Sequence, residues 1–312
     1  MLLSDSPQSA TRTAPLREGS RVQRPHRYVV DEPHIPFEMD VLYEDERIIV
    51  VDKPHFLATM PRGMWYRQTA LIRLREQLGE PDIIPAHRLD RMTAGVLVFV
   101  RDPACRGAYQ MLFQNKQAVK VYECLAPCRP ITRPAFGTIS RTEPPRPFPL
   151  LRRSHITKER GTLAAFEEPG IVNAETLIER GGLIVPPAGG RPRQSDNGTT
   201  HQLLTLPPAG GRWRTAPEGG PDSAGQPICR YTLHPRTGKT HQLRVHMNSL
   251  GLPIIGDDFY PRIHTRPYDD FSQPLQLVAR SLDFTDPVTG QSRHFVSRVP
   301  LRMHAAADWC VS

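Results

Sequence analysis

Residues 87–91 read His-Arg-Leu-Asp-Arg, and an uninterrupted apolar run, Val96 to Val100, follows within a few positions. The run is β-branched and aromatic with no charge, the composition of a buried strand, and Gly95 marks the bend into it. Asp90 therefore falls on a loop or short extended segment at the head of a core strand. A carboxylate anchored there, between Arg88 and Arg91, is how a scaffold presents a reactive group. The same five residues read equally as a solvated loop, since surface Arg–Asp pairs contribute little.

Other chemistry-bearing patterns fail on spacing. Thr237-Gly238-Lys239-Thr240 has the ending of a phosphate-binding loop, but Leu233 stands where that motif requires its first glycine. His241 and His246 are five apart without the glutamate of a zinc-hydrolase helix, so no metal site is expected. No Gly-x-Ser-x-Gly elbow is present. What remains is Asp90 between arginines, Lys120 and Tyr122 two apart, and the basic stretch His241-Gln242-Leu243-Arg244.

The elements that must position these groups follow from periodicity. Val41 to Tyr43 and Ile48 to Val51 form a hairpin across the polar turn 44–47. Leu71, Leu74 and Leu78 predict a short amphipathic helix stopped by Gly79. Asp102-Pro103 is a helix start, and the helix should run to about Gln117. Val119 to Ala126 alternates as a strand, which puts Lys120 and Tyr122 on one face. Ala174 to Ile178 and Cys229 to Leu233 are further strands. Leu243, Met247 and Leu250 predict a helix ending at Gly251, and Leu275–Val278 and His294–Val299 are short strands. Helices and strands mix without regular βαβ alternation, so the fold class is α+β with a mixed sheet.

Length and composition bound the rest. The 312 residues suffice for one large domain or two modest ones, but 38% hydrophobic residues, 33 prolines and 22 glycines imply long irregular segments. Residues 1–35 read as a flexible basic arm and 305–312 as a tail. Between about 181 and 227 the motif Pro-Pro-Ala-Gly-Gly-Arg occurs twice, which marks a low-complexity insertion rather than a solenoid. Net charge is +8, and only Lys53, Lys116, Lys120, Lys158 and Lys239 are lysines among 40 basic residues. Arginine suits phosphate, although a GC-rich genome gives the same bias. Five scattered cysteines point to reduced thiols in a cytoplasmic protein. No leader pattern and no apolar run of about 18 residues occurs, so no membrane partner is expected.

Taken together, the motifs resemble the RluA-type family of RNA pseudouridine synthases. The carriers, in the family's order, are Tyr43-Glu44-Asp45 with Ile48 to Pro54, and His87 to Arg91 with Thr93 and Gly95. Lys120-x-Tyr122 comes next, then Thr237 to His246 followed by Leu250-Gly251, Pro253-Ile254, Gly256-Asp257 and Tyr260. Departures are small: Ala94 stands where Ser is common, Lys239 where Arg is common and Phe56 where Gly is frequent.

The resemblance implies a pseudouridine synthase catalytic fold over about 36–304, with a mixed, largely antiparallel sheet flanked by helices and loops. It implies conversion of uridine in rRNA or tRNA to pseudouridine without a cofactor. Asp90 matches the essential carboxylate, Arg244 the residue that pairs with it, and Tyr122 the tyrosine that stacks on the base. Arg88 matches the residue that fills the gap left by the extruded uridine, and His87, Arg91, Lys239, His241 and Gln242 complete the expected substrate contacts. An RNA stem-loop is the expected partner of a monomer, because extrusion is least costly in a loop and the accessory RNA-binding domain of some relatives is absent. The competing reading is a catalytically silent RNA-binding relative. The joint presence of Asp90, Tyr122 and Arg244 argues against it.

Overall fold

Strands β2 (Ile48–Lys53) and β4 (Ala94–Val100) are buried along their whole lengths, and they show why the apolar runs are continuous. Ile48, Val50, Val96, Val98 and Val100 pack with Tyr109 and Leu112 of helix α2 (Arg106–Gln114). The alternate residues Ile49, Val51, Leu97 and Phe99 pack with Leu71 and Leu74 of helix α1 (Ala70–Leu78). A strand covered on both faces has no use for polar alternation.

The computed structural model describes residues 32–184 and 226–302. The remaining strands are β1 (Asp40–Glu44), β3 (Ile84–Pro85), β5 (Val119–Pro127), β6 (Thr138–Arg141), β7 (Leu150–Thr157) and β8 (Phe166–Glu168). After them come β9 (Ala174–Ile184), β10 (Ile228–Pro235), β11 (Leu277–Thr285) and β12 (Ser292–Val296). The central sheet runs β1-β2-β4-β11-β5-β10-β9-β7-β6, with β3, β8 and β12 added to β4, β7 and β11. All these pairings are antiparallel except β4 with β11. The expected α+β class with a mixed, largely antiparallel sheet holds.

Local signals behave as their chemistry dictates. The Thr69 hydroxyl caps α1 at the N-terminus and Gly79 ends it in the left-handed conformation, at φ 69°. Asp102 accepts the Ala104 N–H and opens a 3-10 turn, Pro103–Cys105, before α2. Helix α3 (Gln242–Ser249) stops just before Gly251. Strands β6 and β7 rise within the Pro- and Arg-rich 129–153 stretch, where no strand was legible. In β7, Arg152 occupies a position that periodicity reserves for an apolar residue. It is fully buried and paired with Glu167 at 2.6 Å.

Two boundaries shift. Residues 1–31 lie outside the described residues, but the last part of the expected arm is docked. The Glu32 carboxylate accepts the N–H groups of Tyr66, Arg67 and Gln68 at 2.7–2.8 Å, and Ile35 is buried in the core. One carboxylate meeting three backbone donors fastens a segment whose composition reads as flexible. Gly181 to Ile184 continue β9, and Ile184 faces Ile228 in the ladder with β10. The twin Pro-Pro-Ala-Gly-Gly-Arg stretches and residues 303–312 lie outside the described residues. The expectation of reduced thiols throughout is corrected for one pair. β5 and β10 are neighbours, with Cα atoms of Cys128 and Cys229 5.0 Å apart, and the two sulfurs are joined in a disulfide.

Gly95 sets the distance between the two halves of the site. It faces Ala279 of β11, which in turn faces Tyr122 of β5. Its φ is 116°, and a Cβ would collide with the Ala279 backbone. Gly95→Ala should therefore lower the unfolding free energy by about 2 kcal/mol or more and displace Asp90 from Tyr122. Urea denaturation measures the first effect, and an unchanged midpoint would contradict this close approach.

Candidate active site

The loop bearing Asp90 is stitched to residues 53–59 at nearly every step. The Thr59 hydroxyl donates to the Leu89 carbonyl at 2.8 Å and accepts the Leu89 N–H at 3.1 Å. Nδ1 of His55 meets the Met92 carbonyl at 2.8 Å. The Lys53 ammonium, fully buried, donates to the carbonyls of Pro54, Leu57 and, at 3.4 Å, Arg91. Burial drives its pKa down to about 7, against the pull of Asp90. Phe56 holds a left-handed φ of 65° and packs its buried ring against Phe37 and Phe271. That conformation favours Gly, and burial of the ring offsets its strain here.

Within this frame the Asp90 carboxylate stays 40% exposed, and Nε2 of His241 lies 3.9 Å from it. His241 itself adopts a left-handed φ of 55° at the start of α3. Its Nδ1 lies 3.1 Å from the Tyr260 hydroxyl, which donates to the Ala165 carbonyl and accepts the Ala165 N–H. With the Tyr260 proton given to Ala165, Nδ1 of His241 is the donor, and Nε2 faces Asp90 as a bare acceptor. Tyr122 is half-buried between two core clusters. Burial, with the Asp90 charge adding to it, pushes its hydroxyl pKa up, so the group stays a neutral phenol.

Arg244 does not form the expected pair with Asp90. Its guanidinium grips Asp257 with two bonds of 2.8 and 2.6 Å, both side chains being buried, and lies over the rings of Phe259 and Tyr260. Asp257 also accepts the N–H groups of Phe259 and Tyr260. The bidentate fork matches a carboxylate that is already fixed in place, whereas Asp90 faces the open side. Arg244 still raises the local positive potential that Asp90 feels.

The expected substrate contacts divide into two sets. Arg88 and Lys239 are exposed, and His241 faces Asp90 as described above. His87, Arg91 and Gln242 turn into the scaffold. The His87 ring lies on Phe113 and accepts the Val98 N–H, while Arg91 lies over Trp65 and reaches the Tyr268 carbonyl. Gln242 is buried and bonds Thr176, Thr237 and the Glu175 carbonyl. All three make contacts within the protein that hold its loops. Lys120, expected on the Tyr122 face, sets its ammonium over the Phe113 ring. Sequence reasoning missed Asp257 and Tyr260 as partners, although both stand in the stretch that carried the resemblance.

Burial holds three imidazoles neutral. His87 titrates well below its usual range, His241 at about 4 and His246, bonded to Ser154 and Thr176, at about 3. Each takes up a proton on unfolding below about pH 6.5. Stability present above pH 6.5 is therefore lost as pH falls towards 4 and 3, by up to about 1.4 kcal/mol per pH unit per imidazole. Urea midpoints should fall across that window, and His246→Asn should flatten the profile. A pH-independent midpoint would contradict the neutral imidazoles.

Asp90 is close enough to act on both the Tyr122 hydroxyl and the Arg244 guanidinium. Residues 47–249 match the family described as RNA pseudouridylate synthase, and the chain belongs to that family. It is an RNA-modifying isomerase of the RluA type. The Dual-specificity RNA pseudouridine synthase RluA of Haemophilus influenzae is 27% identical over 259 residues, which cover 82% of this chain and 91% of that protein. Its namesake from Salmonella typhi is 28% identical over 255 residues, covering 82% and 90%. The fold is shared with Human RNA Pseudouridylate Synthase Domain Containing 1, at a TM-score of 0.51 and 20% identity, covering 86% of this chain and 87% of that one. Among the described residues no helix is long and apolar enough to cross a membrane.

Proposed function

We propose that the protein isomerises uridine in a stem-loop of rRNA or tRNA, with Asp90 as the reacting carboxylate. The observation that carries this reading is the Asp90 side chain, open to solvent on a loop whose backbone is held on both sides. The N1–C1′ bond breaks, the uracil turns, and C5 bonds to C1′. C5 then loses its proton and N1 gains one, so the reaction balances without a cofactor. Asp90 acts either as a nucleophile on ribose or base, or as a general base on the sugar through a glycal. The neutral Tyr122 stacks on the uracil and offers a hydroxyl proton. Arg88, exposed on the loop, fills the space of the extruded nucleotide. Arg244 acts through Asp257, which fixes the segment that carries Tyr260 and so His241.

In this reading the chain is one catalytic domain, a cytoplasmic monomer, with residues 185–227 inserted between two strands. The meeting of Ile184 and Ile228 in one ladder supports the insertion. Incubating the purified protein with uridine-containing tRNA and rRNA, followed by pseudouridine mapping, tests the reading. Absence of product on both would sink it.

A further inference from the structure

Beside the Asp90 site lies a second cleft of about 300 Å³ between the β7–β8 hairpin and the turn before α3. Thr157, Lys158 and Asn173 line one side and Lys239 and Thr240 the other, and no lining residue is acidic. Thr240 is followed by His241, which lies 3.9 Å from the Asp90 carboxylate, and Asp90 is near enough to act on the charge of Lys158.

Lys158 is the unusual member. Its ammonium is partly buried and donates to the carbonyls of Thr162 and Leu163 and, at 3.5 Å, to the Thr162 hydroxyl. No carboxylate lies within ion-pair distance of it among the described residues. Arg62 and Asp90 are both close enough to shift its charge balance, the first unfavourably and the second favourably. A partly desolvated cation without a counter-charge calls for an anion from outside. The hairpin that carries it is fixed, because Tyr260 bonds both backbone groups of Ala165 and, through the same hydroxyl, His241. Lys239, exposed, adds a second lysine to the lining, which also includes Thr157 and Thr240.

We propose that this cleft is a phosphodiester subsite, in which Lys158 and Lys239 hold the RNA backbone next to the uridine presented to Asp90. The ligand class follows from the chemistry: ammonium and hydroxyl groups, no acidic lining residue, an open cleft, and Asp90 within electrostatic reach of Lys158. The subsite rests on the RNA reading above and adds to it Lys158, a positioning residue that the motifs do not assign, as the partner of Lys239.

Affinity of the full-length protein for a uridine-containing tRNA transcript, measured across a KCl series, tests it together with pseudouridine formation. Lys158→Ala and Lys239→Ala should each lower the slope of log affinity against log salt by about 1, and the double variant by about 2. KM should rise at least tenfold in the double variant while kcat changes much less. Lys158→Arg should keep the wild-type slope, which a merely structural role would not require. A double variant with wild-type slope and KM, on RNA that the wild type converts, would overturn the subsite. Loss of slope in a protein that binds tRNA but never forms pseudouridine would support the subsite and overturn the enzymatic reading instead.

Discussion

Replacing Asp90 with Asn should reduce pseudouridine formation by about 10³-fold or more in single-turnover assays, with RNA affinity unchanged or tightened. Asn keeps the shape of the side chain but cannot act as a nucleophile or accept a proton at that position. The fold should not notice. Asp90 is 40% exposed and its nearest charged-type partner is a histidine that burial keeps neutral, so the stability change should stay within about 0.5 kcal/mol. Removing a negative charge beside the RNA phosphates also favours binding. A variant that unfolds, or that loses affinity in step with activity, would mean that Asp90 serves structure rather than reaction.

The second large effect lies at Asp257. Asp257→Asn leaves Arg244 buried without a counter-charge, and breaking such a pair costs about 3–5 kcal/mol. The same change loosens the N–H groups of Phe259 and Tyr260, and with them the grip on Ala165 and His241. Activity should fall together with stability. Arg244→Met combined with Asp257→Leu separates the two roles. Replacing both charges by apolar groups should recover most of the lost stability, as measured by urea denaturation. Activity should remain lost, because the field of Arg244 on Asp90 is gone. Recovery of turnover in that double variant would show the pair to be scaffold alone.

Much of this site was legible because its signals are local. Val96 to Val100 could only be a buried strand, and Gly95 before it had to bend. Gly79 ended α1 and Gly251 closed α3 through backbone chemistry that needs no tertiary context. The partner of Arg244 was not legible in that way. Asp90 and Asp257 are both acidic and both within motif stretches, and only the packing of α3 decides which one the guanidinium meets. His87 and Gln242 likewise look like polar site residues, but they fill donor and acceptor needs inside the scaffold. Strands β6 and β7 were hidden because Arg152, an apolar position in any periodic reading, is neutralised by Glu167 from a neighbouring strand. Lys158 carried no sequence signal at all, since a lone lysine on a polar turn is ordinary until the fold sets it in one cleft with Lys239.

Tritium release gives the most direct test of the central claim. Forming the C5–C1′ bond expels the hydrogen of C5, so RNA labelled at C5 of uridine reports the chemistry itself rather than binding. With tRNA or rRNA carrying that label, the wild-type protein should release tritium in proportion to the pseudouridine mapped. Asp90→Asn should bind the same RNA and release none. Release by Asp90→Asn at the wild-type rate would contradict the placement of the reaction at this carboxylate.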